Sequence, residues 1–231
     1  NSFDLIITNP PFGATIKKEE KPYLKEFYFG KDSKEKIRKT QKTEILFIER
    51  CWQFLKEGTG KIGIILPDGI LTNTTLKYVR DFILSKFEVE GIFSLPQVTF
   101  AHYGAGLKSS IILMRKLKKN EKPTNNKVFC ALINKVGYDG TGRKDKSDLG
   151  EVVKKFKSYK SGKDFYTHNI FVKKINKLNN NRLDVYYYSP LFEDIIEEVS
   201  KSKNILLPLK DVCVEKGIFN GKTPAKDNYS E

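Results

Sequence analysis

Four consecutive residues near the start of the 231-residue chain, Asn9-Pro10-Pro11-Phe12, carry groups suited to activating an exocyclic amine. The nitrogen of such an amine is a poor nucleophile because its lone pair is delocalised into the ring. If the Asn9 side-chain oxygen and the Pro10 carbonyl each accept one of its N–H groups, the nitrogen is drawn toward tetrahedral geometry and the lone pair is freed. Two adjacent prolines fix φ and stiffen the loop that presents these acceptors. Phe12 then offers a face on which a base flipped out of its duplex can stack. The same four residues also read as an ordinary strand-to-loop turn closed by prolines.

The elements around the tetrad decide between these readings. Phe3 to Thr8 is mostly apolar and reads as a buried strand, with Asn9 at its carboxyl end. Lys17 to Lys42 is polar, broken by Pro22 and dotted with Tyr23, Phe27, Tyr28 and Phe29, and is expected to be a long mobile loop with some helix. Ile48, Cys51, Trp52 and Leu55 recur at helical spacing before Gly58. Lys61 to Pro67 reads as a buried strand, Leu76 to Leu84 as a second helix, and Val89 to Leu95 as a further strand. Ser109 to Met114 is expected to pair with a neighbouring strand through the Gly104-Ala105-Gly106 region. Val128 to Ile133 is expected at a sheet edge, Tyr138 to Arg143 as a turn, and Leu191 to Val199 as a short helix. Strands alternating with helices over short joins predict an α/β fold with a doubly wound sheet, whose ligands lie at the strands' carboxyl ends.

From Phe3 to Lys116 the chain resembles the catalytic half of the N6-adenine DNA methyltransferases of type I and related restriction-modification systems. The resemblance runs through Asn9-Pro10-Pro11-Phe12, Glu44-Ile45-Leu46-Phe47, Gly60 to Leu71, an arginine-bearing helix at Arg80, Leu95-Pro96, Phe100, and Ser109 to Leu113. It implies transfer of a methyl group from S-adenosylmethionine to N6 of a flipped adenine, within the fold of S-adenosylmethionine-dependent methyltransferases. Asn9, Pro10, Pro11 and Phe12 match the catalytic loop. Phe100 matches a second aromatic facing the base, although Tyr103 lies close enough to compete and a core role explains Phe100 equally well. Asn9, Glu44 and Phe47 match positions near the donor, while a helix cap and a core residue explain the last two as well. The glycine-rich donor loop that precedes the tetrad in that family is absent from this chain, and Gly104-Ala105-Gly106 neither follows a buried strand nor opens a helix. The chain as given is therefore expected to need an upstream segment for methylation, and both of its ends read as internal. Leu206 to Val212 followed by Gly217 and Asn220-Gly221-Lys222-Thr223-Pro224 is similar to the opening of target-recognition domains in specificity subunits. Boundaries are accordingly expected at 1–118 for the catalytic part, 119–203 for a basic connector and the end of the methyltransferase domain, and 204–231 for the start of a recognition domain.

Charge fits this picture. The chain carries a net charge of +14, and from Lys108 to Lys174 there are 18 basic and 6 acidic residues. Such a field attracts polyanions, because neutralising phosphates releases condensed counterions, although a lysine-rich composition that aids solubility explains the number too. Lys108, Lys144 and Lys146 are the expected contacts to double-stranded DNA. Cys51, Cys130 and Cys213 form no C-x-x-C pair, and with two histidines a zinc site is not expected. Free thiols without a signal peptide point to the cytoplasm, and no apolar run is long enough to span a bilayer. The expected partner is DNA, with a specificity subunit or the chain's own recognition domain. Two other functions remain open: a protein-glutamine methyltransferase, whose amide nitrogen is deactivated in the same way, and a non-catalytic DNA-binding remnant.

Overall fold

A computed structural model of the chain describes residues 2–17, 19, 21–104, 106–123, 127–174, 181–201 and 207–213. The recognition-domain motif around Gly217 and Asn220 to Pro224, and Ala105 of the glycine region, lie outside these residues. In chain order the elements are β1 (Leu5–Thr8), β2 (Thr15–Lys17), α1 (Lys21–Lys25), β3 (Thr40–Lys42), α2 (Thr43–Phe54), β4 (Lys61–Pro67), α3 (Asp68–Thr72), α4 (Lys77–Lys86), β5 (Phe87–Ser94), β6 (Ser109–Lys116), β7 (Lys127–Leu132), β8 (Val136–Tyr138), β9 (Lys144–Ser147), α5 (Leu149–Lys160), β10 (Ile170–Lys174), α6 (Pro190–Ser200) and α7 (Leu209–Val212). Two compact units emerge, Asn1–Glu193 and Asp194–Glu231. The first holds the whole sheet; the second holds the last turns of α6 and the short α7.

Six strands form the central sheet in the order β1-β4-β6-β5-β7-β10. The β1–β4 and β5–β7 pairs are parallel, and β4–β6, β5–β6 and β7–β10 are antiparallel. Register explains the two cores. Ile64, Ile112, Ile92, Cys130 and Phe171 are successive cross-strand partners. They therefore share one face, and there they join Ile45 and Ile48 of α2 and Val79 and Ile83 of α4. One residue along each strand, Phe93, Ala131 and Ile170 point the other way and join Val152 and Tyr159 of α5. Helices thus cover both faces, which gives the doubly wound α/β arrangement, with the amino end of β6 lying beside the carboxyl ends of β4 and β5.

Three expectations need correction. β1 is not buried: Leu5 is 58% and Ile7 80% exposed, and only Ile6 packs against the core. β7 is not an edge strand, since β5 and β10 pair with its two sides. The stretch from Lys17 to Lys42 is not simply a loop. β2 and β3 close it as a ribbon, and Leu24, Phe27 and Phe29 enter the core. The buried Glu49 of α2 accepts the Tyr28 and Phe29 amides at 2.7 and 2.9 Å, which fixes the turn Tyr28–Gly30 from below. Gly30 is required there, because a Cβ would stand 1.9 Å from the Leu24 carbonyl oxygen.

Cys51 and Cys130 are buried free thiols, and burial pushes their pKa up to about 11 and about 12. Both should resist alkylation by iodoacetamide at pH 8 in the native protein, whereas the half-exposed Cys213 should react, because the thiolate is the nucleophile. Equal labelling of all three without denaturant, read by mass spectrometry, would contradict this packing. Among the described residues no cluster of three or more His, Cys, Asp or Glu side chains could hold a metal ion. Among them, too, no helix is long and apolar enough to cross a membrane.

Candidate active site

Parallel pairing sets the end of β1 beside the middle of β4, with Thr8 opposite Ile64 and both strands running toward the same edge of the sheet. The Asn9-Pro10-Pro11-Phe12 loop therefore leaves the sheet at the edge where β4 runs into Pro67-Asp68 and β6 begins at Ser109. Asn9 is exposed, Pro10 buried, Pro11 exposed and Phe12 half-buried. Thr43, the first residue of α2, holds the loop from outside: its Oγ1 lies 3.0 Å from the Pro11 carbonyl oxygen and 3.2 Å from that of Ala14, and its amide donates to Ala14 at 3.0 Å. Sequence reasoning passed over Thr43, although a threonine opening a helix is the local signal for such a tether.

Phe100 sits on the 3-10 turn Gln97–Tyr103 that follows β5. The structure brings Phe12 and Phe100 together, with ring centroids 6.3 Å apart and planes at 83°. A base held between two aromatic faces needs roughly 7 Å between parallel rings, twice the optimal carbon–carbon contact. In this edge-to-face state the two rings fill each other's space, and one must rotate to admit a base. Tyr103, the competing aromatic, is 76% exposed and lies instead against His102 at 3.9 Å.

Of the three residues expected near the methyl donor, only Asn9 presents polar atoms to solvent. Glu44 is 1% exposed, with its carboxylate directed at Thr43 Oγ1 and Lys42 Nζ, 3.4 and 4.0 Å away. Phe47 lines a cavity of about 200 Å³ with Ile16, Phe27 and Leu46. These residues do not by themselves form a pocket for S-adenosylmethionine.

A second polar group lies at the same edge of the sheet. Ser110 Oγ donates to Asp68 Oδ1 at 2.7 Å, and Lys108 Nζ lies 3.7 Å from Asp68 Oδ2. Burial raises the Asp68 pKa despite both partners. Lys108 also sits 5.5 Å above the Tyr186 ring, so this expected DNA contact is already engaged within the protein. Lys144 and Lys146 are exposed on β9. The basic segment does not form one surface. Lys118 and Lys119 follow the far end of β6, at the opposite end of the sheet from Asn9.

The model of the N-6 DNA methylase family matches residues 1–194, most of the chain. The chain belongs to that family. The methylase subunit of the type I restriction enzyme EcoEI from Escherichia coli is 30% identical over 114 residues, covering 49% of this chain and 21% of that protein. The methyltransferase subunit of a type I restriction-modification system from Streptococcus thermophilus superposes with a TM-score of 0.59 at 22% identity, over 81% of this chain and 38% of that one. A structure from Listeria monocytogenes described as a class I S-adenosylmethionine-dependent methyltransferase gives 0.51 at 21% identity, over 69% of this chain and 43% of that one. The fold is thus that of S-adenosylmethionine-dependent methyltransferases, and the chain spans less than half the length of each of these relatives.

Proposed function

We propose that this member of the N-6 DNA methylase family supplies the amine-activating part of an adenine-N6 DNA methyltransferase in a restriction-modification system. The observation that carries this reading is Asn9, exposed at the end of β1 on a loop tethered by Thr43 and reaching Phe100 through Phe12. The Asn9 side-chain oxygen accepts one N–H of the adenine amine and the Pro10 carbonyl accepts the other. The nitrogen then attacks along its freed lone pair and sheds its surplus proton to solvent. Bound S-adenosylmethionine would supply the methyl group, its carbon–sulfur bond breaking as the nitrogen–carbon bond forms and the neutral thioether leaving. Asn9 lies at the boundary of the donor's site, with Glu44 and Phe47 of α2 near it. Phe12 and Phe100 open from their edge contact to take the flipped base. DNA is the substrate, read by a specificity subunit or by a recognition domain beginning near residue 204, in the cytoplasm where that DNA lies.

The experiment is to incubate the natural protein carrying this chain with labelled donor, DNA and a glutamine-bearing translation release factor. Label in DNA, recovered as N6-methyladenine, supports the reading; label in protein replaces it with amide methylation; label in neither leaves a DNA-binding remnant. Phe12 gives a sharper test. Aromatic stacking is worth about 1–3 kcal/mol per base, so Phe12→Tyr and Phe12→Trp should turn over and Phe12→Ala should lose roughly 10-fold or more. With 2-aminopurine at the target position, an undiminished flipping signal in Phe12→Ala would remove Phe12 from base holding.

A further inference from the structure

The β8–β9 hairpin leans on the turn that carries Phe100. Tyr138 Oη donates to the Thr99 carbonyl at 3.0 Å, and the His102 ring meets the Tyr138 ring edge-on at 5.0 Å. The hairpin tip lies against the same turn, since a Cβ on Gly142 would stand 3.6 Å from the His102 ring and one on Gly140 3.7 Å from Val98, both ordinary contact distances. The hairpin is also fixed within itself. At its tip Asp139 accepts the Thr141 hydroxyl at 2.7 Å and the Arg143 and Thr141 amides at 3.0 and 2.9 Å, contacts that lower its pKa. At its base Asp148 accepts the Asn134 and Lys135 amides at 3.0 and 2.9 Å.

Both carboxylates of the hairpin are engaged, Asp139 by the tip and Asp145 by Lys135 at 3.2 Å. Among the described residues, the side chains of Arg143, Lys144 and Lys146 have no ion-pair partner, and all three are exposed. Lys144 is the cross-strand partner of Tyr138, so the two side chains rise from the same face of the hairpin. Tyr138 packs on the turn that carries Phe100, while Lys144, across the hairpin from it, is exposed.

We propose that this hairpin is a phosphate-binding arm: Arg143, Lys144 and Lys146 grip the DNA backbone next to the target adenine, and Tyr138 is a positioning residue that ties this grip to the placement of Phe100. The proposal rests on the DNA-methyltransferase reading above. Cations on a stiff support give affinity without sequence preference. The Tyr138–Thr99 hydrogen bond makes the same support hold the wall of the base pocket.

The test uses the natural protein carrying this chain. If the wild type places no methyl group on DNA, the functional reading fails and the arm fails with it. Given methylation, the double variant Lys144→Gln/Lys146→Gln should reduce the slope of log K against log salt by about 2, near the 0.9 expected per phosphate contact. Lys118→Gln/Lys119→Gln, the same charge change at the far end of the sheet, should leave the slope as it is. An unchanged slope in the first pair, or an equal change in both, overturns the arm. Tyr138→Phe removes one oxygen and should leave affinity and slope unaltered while lowering the 2-aminopurine signal and kcat several-fold at constant KM. Wild-type flipping in Tyr138→Phe overturns the link to Phe100.

Discussion

Replacing Asn9 by alanine is expected to leave DNA affinity close to normal and to lower methyl transfer by about 10²-fold or more, the scale for losing one aligned polar group at a reacting centre. The separation follows from position. Asn9 is exposed at the end of β1, with no side-chain hydrogen bond among the described residues, so truncation removes an acceptor without opening a cavity. Pro10 keeps its carbonyl, so one of the two amine hydrogens still finds a partner. Asn9→Asp retains an acceptor and should recover much of the lost rate. Single-turnover rates at saturating DNA, with affinity measured separately, are the relevant quantities. Near-normal turnover in Asn9→Ala would take the residue out of the mechanism.

Arg80→Met is expected to destabilise the protein by about 3 kcal/mol or more, since a hydrogen bond from a charged donor is worth about 1.5–3 kcal/mol and the substitution removes all those of the guanidinium. Arg80 is fully buried. Its Nη1 donates to the Ile70 and Asn73 carbonyls at 2.9 and 2.8 Å, and its Nε to that of Asn181 at 2.9 Å. Three backbone carbonyls from two distant segments therefore depend on one guanidinium, while Nη2 has no hydrogen-bond partner among the described residues. Burial lowers its pKa, and Asp81 and Asp184 oppose the shift. Arg80→Lys keeps the charge but cannot span all three acceptors, so it should fall between wild type and Met. A loss of this size corresponds to roughly 6–12 °C in melting temperature for a chain of this length. A shift under about 2 °C in Arg80→Met would show that those carbonyls find other partners.

Much of this architecture was readable where local pattern and burial agree. β4 alternates Ile62, Ile64 and Leu66 into one core after a Gly-Thr-Gly turn, and α2 and α4 show their buried stripes directly. The tetrad was readable because two prolines after an asparagine at a strand end leave few alternatives. Strand order was not, because nothing within β6 tells that it runs between β4 and β5. β7 was expected at an edge, yet Val128 to Ala131 is buried throughout and the strand is paired on both sides. The apolar character of Leu5 and Ile7 does not say what covers them. The roles of Thr43, Tyr138 and Glu49 are contacts across tens of residues, which composition and periodicity do not carry. Phe12 and Phe100 were each identified from sequence, but their mutual edge contact is a property of the fold.

The long-range pairing of β1 bears on how the site assembles. Its four residues pair with β4, more than fifty residues further along the chain. β5 and β6 are joined by the shorter connection and can zip together earlier, whereas β1 must wait for β4 to form before it pairs. The acceptors of Asn9 and Pro10 therefore come into place only after the long segment between β1 and β4 has folded. Their loop is stiff within itself, through its prolines and the Thr43 tether. Such a loop can meet a base arriving from the duplex with its two acceptors in fixed relation.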